Sequence, residues 1–394
     1  LLASVLGAAE PAAYLASLAP TAERYRRMKA ALADHRRIAT ERAWPHVPAG
    51  PILELGTYDS RVPLLRRRLG VTRTPSAEED ATLYDSKLAA AVRRFQARHG
   101  LGADGRVGRL TLAALNVSPA ARVRQIETGL DWLRAMAQPT PAPQIVINLP
   151  EFRLRVFEGE DEILEMAVIV GREARATPIL SSRVTEVVFN PSWTVPMKLA
   201  REDKLPQLRT DLRAMAAQGF RAFRGLPGEA EEIDILSIDW SKVTGRNFPY
   251  WLRQDPGPRN ALGEVRLTFP NTFDVFMHGT PDRYLFRRDT RSLSSGCIRL
   301  ERPLDLVEYV MRNTPGWSRE TAEEAIATGE TKPVAVNRPV ALHIVYITAL
   351  ARADATVEFR EDIYRLDELL QDIVKARSRA IAASLADGFA PGLF

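Results

Sequence analysis

A single cysteine, Cys297, occurs among the 394 residues, so no internal disulfide can form and the thiol is either a packing group or a reactive one. No uninterrupted apolar run approaches the roughly 18 to 20 residues of a membrane-spanning helix. The apolar start, Leu1 to Ala9, lacks the basic flank of a secretory signal, so an export signal or anchor is expected to lie outside this chain. Only five histidines are present, with no His-Glu-x-x-His pattern and no close ligand cluster; this argues against a zinc peptidase and predicts neither metal nor cofactor. No Ser-x-x-Lys sequence occurs, which removes the serine nucleophile of penicillin-binding chemistry. Internal repeats and low-complexity tracts are also missing.

What is present describes a folded chain with more than one core. Apolar residues make up 45% and charged residues 26%, too hydrophobic for a disordered polymer, and 394 residues exceed what one core serves. The net charge of +5 comes mainly from arginine dispersed among acidic residues. It suits either a merely solubilising surface or weak attraction to an anionic polymer; a nucleic-acid partner is not expected.

Residues 11–40 place Ala, Leu and Met at helical spacing, and the proline-rich stretch from Trp44 to Pro51 interrupts them. Helices are expected at Arg61 to Leu69, Asp85 to His99 and Thr111 to Leu115, with Leu88, Val92 and Phe95 on one face, Gly100 as a C-terminal stop and Asp104-Gly105 as a turn. A further helix, Ala120 to Met136, runs into QPTPAPQ. From Gln144 the pattern becomes that of strands: QIVINLP, FRLRVFEG, EMAVIVG and RVTEVVFNP. Between about Lys198 and Arg259 the chain is charged and partly helical, with Trp240, Tyr250 and Trp251 embedded, before strands resume at Glu264 and Asp274. This piece reads as an insertion, either a lid or an inert subdomain. Helices are expected at Arg302 to Asn313 and Arg319 to Thr328, a buried strand at Val340 to Ala349, and an amphipathic helix at Leu366 to Leu385.

Chemistry concentrates between Val275 and Pro303. His278 ends a strand and Cys297 follows nineteen residues later in a Ser-Ser-Gly-Cys turn. A thiol with its ordinary pKa of about 8.5 is only a few per cent thiolate at neutral pH, so a nucleophilic cysteine needs a base or a positive neighbourhood. His278 suits the first role and Arg299 the second, or Arg299 holds a substrate carboxylate. Gly296 permits a sharp turn, and backbone N–H groups around Cys297 are candidates for an oxyanion hole; Ser294 and Ser295 flank the turn as candidate substrate-binding hydroxyls. A papain-like order would use His343 as the base, but His343 sits inside VALHIVYITA, where packing in a strand is the simpler reading. A non-catalytic binding protein with an inert Cys297 is the alternative of another class.

Two sets of motifs carry resemblances. The pattern from Tyr84-Asp85 through FQARHGLGADGRVGRLTLAALN resembles the three-helix peptidoglycan-binding module. HGT followed by SSGCIR resembles the YkuD-like L,D-transpeptidase catalytic domain. With YLASLAP, VIVGR, NPSWTVP, PGPRNALG and ALHIVYITA in order, most of the chain resembles the large periplasmic L,D-transpeptidases of Gram-negative bacteria. The resemblance implies a multidomain α+β protein: an N-terminal helical scaffold at residues 1–51, a binding module at 52–117, a helical linker at 118–143, a β-rich catalytic domain at 144–350 with a lid inserted at about 198–259, and a C-terminal extension at 351–394. It implies Cys297 as nucleophile, His278 as base, the Gly279 carbonyl as the group orienting the imidazole, and the backbone at Gly296 and Cys297 as oxyanion hole. Smaller relatives carry a second histidine two residues before the cysteine, where Ser295 stands here. The implied partners are peptidoglycan stems and glycan, other wall synthases, and carbapenem inhibitors; the implied location is the periplasm.

Overall fold

The computed structural model describes residues 22–41, 44–71, 80–135, 142–225 and 229–373, with a few isolated positions besides. Most of residues 11–21 and the far end of the expected C-terminal helix lie outside the described residues. The chain divides into two compact units.

The first unit holds helices α1 (Glu23–Glu41), α2 (Val62–Leu69), α3 (Ser86–Arg98), α4 (Arg109–Leu115) and α5 (Pro119–Ala135). Tyr25, Met28 and Ala31 form the buried stripe of α1, spaced three apart so that they share one face, and α1 packs against α5. Gly129 permits this packing: a Cβ there would lie 3.0 Å from Met28 Cε and 3.1 Å from the Ala349 carbonyl. Helices α2 to α4 enclose their own core, with Leu53, Val62, Leu65, Tyr84, Leu88 and Val92 inaccessible to solvent. Each such aliphatic side chain contributes about 1.5–3 kcal/mol. Asp85 caps α3 by accepting from the Leu88 N–H, and Gly100 ends it at φ +65°. The buried amide of Gln96 knits the turn at Asp104-Gly105: its carbonyl accepts from Gly105 N–H at 2.8 Å, and its NH2 reaches Asp104, the Arg106 carbonyl and Thr111. A helical run from Leu366 is described as far as residue 373.

The second unit is β-rich. Its strands are β1 (Gln144–Asn148), β2 (Arg153–Glu158), β3 (Asp161–Gly171), β4 (Leu180–Phe189), β5 (Trp193–Thr194), β6 (Phe220–Arg224), β7 (Glu231–Ile233), β8 (Tyr250–Gln254), β9 (Val265–Thr268), β10 (Met277–His278), β11 (Ser292–Ser294), β12 (Ile298–Leu300) and β13 (Lys332–Val345). Nine of them form one sheet in the order β11-β3-β12-β10-β9-β4-β13-β1-β2, and β2 also pairs with β3, so the sheet closes on itself. Strand β13 is longer than the run from Val340 suggests. It begins at Lys332 and carries a register shift between Ala335 and Val340, at which Pro339 interrupts the ladder without ending the strand. Helices α8 (Pro303–Met311) and α9 (Arg319–Ala327) follow β12, and β14 (Ala349–Ala351) and β15 (Val357–Phe359) form a hairpin in the first unit. Asn190, at φ +46° beyond β4, ties that strand to the end of α9 by donating to the carbonyls of Ala325, Ile326 and Glu330.

The segment between β4 and β9 has a core of its own. Strands β5, β8, β6 and β7 make a second sheet, with helices α6 (Leu205–Thr210) and α7 (Leu212–Ala217) beside it, around Trp240, Phe248, Tyr250, Leu252 and Met215. The sequence pattern there suggested charge and partial helix. Strands of two to five residues, separated by as many as 25, are too short for a period-2 signal in the sequence.

Candidate active site

Strand pairing places Cys297 and His278 on one face of the sheet. Strand β10 runs parallel to β12 with Met277 opposite Ile298 and His278 opposite Arg299. On the other side β10 pairs antiparallel with β9, so that His278 also faces Arg266. Side chains alternate along a strand, and those directly opposite share a face. Met277, Leu267 and Ile298 are wholly buried on one face. His278, Arg266 and Arg299 therefore lie together on the other, joined by Cys297, two residues before Arg299, and Phe276, two before His278.

The turn before Cys297 is built by local hydrogen bonds. Ser294 Oγ accepts from the Gly296 N–H at 3.1 Å and donates to the Cys297 carbonyl at 2.5 Å. Gly296 sits at φ +121°, a conformation that L residues rarely adopt. Thr177 Oγ1 clamps the turn from outside: it donates to the Gly296 carbonyl at 2.8 Å and accepts from the Gly171 N–H at 2.8 Å. Strand β3 thereby anchors the nucleophile's loop. A Cβ at Gly171 would stand 2.2 Å from the Arg175 carbonyl, so only glycine lets residues 172–177 fold back here.

His278 is 4% exposed, and its Nδ1 lies 2.6 Å from the Gly279 carbonyl. A carbonyl only accepts, so Nδ1 carries the proton and Nε2 keeps its lone pair. Burial, and then the positive Arg299, push the imidazole down to about 3, so it is neutral at physiological pH. The half-buried Cys297 thiol is pushed up to about 11 by burial, which outweighs the Phe276 backbone hydrogen bond and the fields of Arg299 and Arg266. The resting pair is thus a neutral thiol and a neutral imidazole. Arg299 acts on the thiol in the direction the sequence suggests, but desolvation wins.

The remaining candidates divide. Ser294 is buried and its hydroxyl is committed to the turn, so it builds the site rather than opening toward a substrate. Ser295 is exposed and accepts from Arg175 at 2.9 Å. The Gly296 N–H is engaged by Ser294, whereas the Cys297 N–H has no partner among the described residues and is open to an oxyanion. Arg299 pairs with Asp282 at 3.3 Å. His343 is on β13, separated from β12 by β4, β9 and β10, and its Nδ1 meets Ser181 Oγ at 2.9 Å; it is not brought to the thiol. Among the described residues no cluster of His, Cys, Asp and Glu could hold a metal.

Several residues at the site were invisible in the sequence. Arg175, its side chain 9% exposed, reaches Ser295 and also Glu202 and Asp203 of the inserted segment, each at 2.5 Å. Lys204, half-buried, has its pKa lowered chiefly by burial and feels both Arg299 and Asp282. Gly263, at φ +66°, lies under the Gly279–Thr280 backbone: a Cβ would be 2.6 Å from the Thr280 nitrogen. These residues lie roughly 15 to 120 positions from the groups they touch, and only the sheet topology connects them.

Residues 142–328 match the YkuD family, described as "L,D-transpeptidase catalytic domain". Residues 64–115 match a family described as "Putative peptidoglycan binding domain". A Haemophilus influenzae protein named "Putative L,D-transpeptidase" is 34% identical over 239 residues, covering 59% of this chain and 47% of that protein; the chain spans about half the length of this curated relative. Among solved structures, an L,D-transpeptidase from Stackebrandtia nassauensis shows 12% identity and a TM-score of 0.27 over 76% of this chain and 96% of that one. L,D-transpeptidase 3 from Mycobacterium tuberculosis, in complex with a faropenem-derived adduct, shows 12% identity and a TM-score of 0.23 over 52% and 61%. Likenesses this low carry no argument about the site. Residues 142–328 thus match the YkuD family of L,D-transpeptidase catalytic domains, and residues 64–115, ahead of them in the sequence, match a peptidoglycan-binding family.

Proposed function

We propose that this chain is an L,D-transpeptidase of peptidoglycan that works by cysteine acyl transfer and forms 3-3 cross-links. The observation that carries the reading is the placement of Cys297 on the same face as a neutral His278 whose Nδ1–H is tied to Gly279, leaving Nε2 as a base. Sγ attacks the carbonyl between an L-centre and D-alanine of a tetrapeptide stem as its proton passes to Nε2. The Cys297 N–H receives the oxyanion, and collapse expels D-alanine, whose nitrogen takes the proton back. The side-chain amine of a diaminopimelate on a second stem then attacks the thioester. It releases its proton through Nε2, and the thiol is restored.

The inserted segment, linked to the catalytic turn through Arg175, supports a lid that keeps water from the thioester. Peptidoglycan stems and glycan as partners, other wall synthases, carbapenem inhibitors and a periplasmic location belong to the same reading.

Intact-mass spectrometry of the protein with a disaccharide-tetrapeptide, and separately with a carbapenem, tests it. The expected result is a thioester or drug adduct on Cys297, D-alanine release and a 3-3 linked dimer, all lost in Cys297→Ala. Tripeptide without dimer makes the enzyme a carboxypeptidase. No adduct and no turnover by folded protein leaves a non-catalytic wall-binding protein.

A further inference from the structure

The row of side chains across β9, β10 and β12 holds a second cation that the proposed reaction leaves without a role. Arg266 stands directly opposite His278 on the side away from Arg299, so the base is flanked by a guanidinium on each neighbouring strand. Backbones two strands apart are separated by about 10 Å, within the combined reach of two arginine side chains converging on one small anion. Arg266 lies 5.5 Å from the centre of the Phe276 ring, which in turn meets His278 edge-on at 5.7 Å, so packing directs the guanidinium along the face that carries Cys297.

Its protein partners are weak. The nearest carboxylate, Glu186, is 3.8 Å away and half-buried, and that of Arg299, Asp282, is 3.3 Å away. Each of the two arginines also keeps a buried Nε–H with no acceptor. The two side chains are partly exposed, at 30% and 22%, but a buried N–H left short of an acceptor is costly, and two cations beside a base oppose its uptake of a proton. Arg299 already depresses the basicity of His278. Such an arrangement is stabilised when an anion arrives between the cations.

We propose that Arg266 is a specificity residue that, together with Arg299, receives a carboxylate of the acyl-donor stem next to the scissile bond. This rests on the donor reading above and deepens it. Two carboxylates of the donor fit the chemistry: that of the departing D-alanine, three bonds from the attacked carbonyl, and the side-chain carboxylate of the diaminopimelate.

The test compares three donors with the intact protein: the natural tetrapeptide, one ending in D-alaninamide, and one amidated on the diaminopimelate carboxylate. Thioester formation and release of the terminal residue are measured. For wild type, one amidated donor is expected to lose about 10- to 100-fold in kcat/KM, mostly through KM, the size of a charge-assisted hydrogen bond. Which donor loses identifies the carboxylate. Arg266→Gln should lose a similar factor on the natural donor and little more on the amidated one, and Arg266→Lys should recover part of it. Equal rates on all three donors by wild type, which need no variant to fold, would overturn the assignment to Arg266 while leaving the cysteine chemistry standing. A Gln variant that still discriminates as wild type does would overturn it equally. If wild type forms no thioester with any donor, the functional reading itself falls, and this proposal with it.

Discussion

Thr177→Val removes a hydroxyl that joins strand β3 to the nucleophile's turn while keeping the side chain's shape. Thr177 is 2% exposed; it donates to the Gly296 carbonyl and accepts from the Gly171 N–H, both at 2.8 Å. Each lost bond is worth about 1 kcal/mol net, and stranding the Gly171 N–H in a buried site adds a desolvation penalty of about 1–3 kcal/mol. The variant should therefore be destabilised by about 3–5 kcal/mol. For a unit of this size that corresponds to a fall in Tm of about 6–20 °C. The released turn also moves Cys297 relative to His278, and a displacement of about 1 Å is enough to cost on the order of 100-fold in rate. Thermal melting and the rate of Cys297 acylation by a carbapenem, followed by intact mass, measure the two effects. Thr177→Ser, which keeps the hydroxyl, should retain most of both. A Val variant that melts within a degree of wild type and acylates at the same rate would show that the clamp does not hold the turn.

Three further expectations concern other parts of the chain. With His278 neutral above about pH 3 and the Cys297 thiol protonated below about pH 11, the acylation rate should be flat from about pH 5 to about pH 9; a bell with a limb near pH 6 in stopped-flow measurements would mean a charged imidazole and refute the neutral pair. Burial raises Asp367 from 3.8 to about 6, so the folded state holds an extra proton between those values and stability falls as pH rises through them. Asp367→Asn should stabilise the first unit at pH 7.5 by on the order of 2–3 kcal/mol, raising its Tm, and leave it unchanged near pH 3.5; equal Tm shifts at both pH values would refute this. Gly263→Ala places a Cβ 2.6 Å from the Thr280 nitrogen at φ +66°, so it should shift the backbone beside His278 and cut acylation more than 10-fold with secondary structure kept, as judged by circular dichroism.

Helix and strand positions were legible wherever apolar residues recur at a clear period. The Leu88, Val92 and Phe95 stripe of α3, the Val and Ile runs of β1 to β4, and the glycine stops at Gly100 and Gly105 are local signals, fixed by backbone geometry within a few residues. Cys297 and His278 stood out because one thiol in 394 residues lies in a glycine turn downstream of a strand-end histidine. Ser294 builds the turn, a role the sequence does not separate from that of a ligand group, since a serine beside a cysteine looks the same in either.

Tertiary structure decided what long-range pairing alone can decide. The register of β9, β10 and β12 puts Arg266, His278, Arg299 and Cys297 on one face, the fold-back after Gly171 brings Thr177 and Arg175 to a turn about 120 residues away, and enclosure of that face drives the thiol up and the imidazole down. The amino-acid sequence by itself determined which residues can do the chemistry and the local elements that carry them, because side-chain type and backbone propensity are short-range properties. Which residues face the nucleophile, and in what charge state, depends on sheet register and desolvation, properties of the assembled fold.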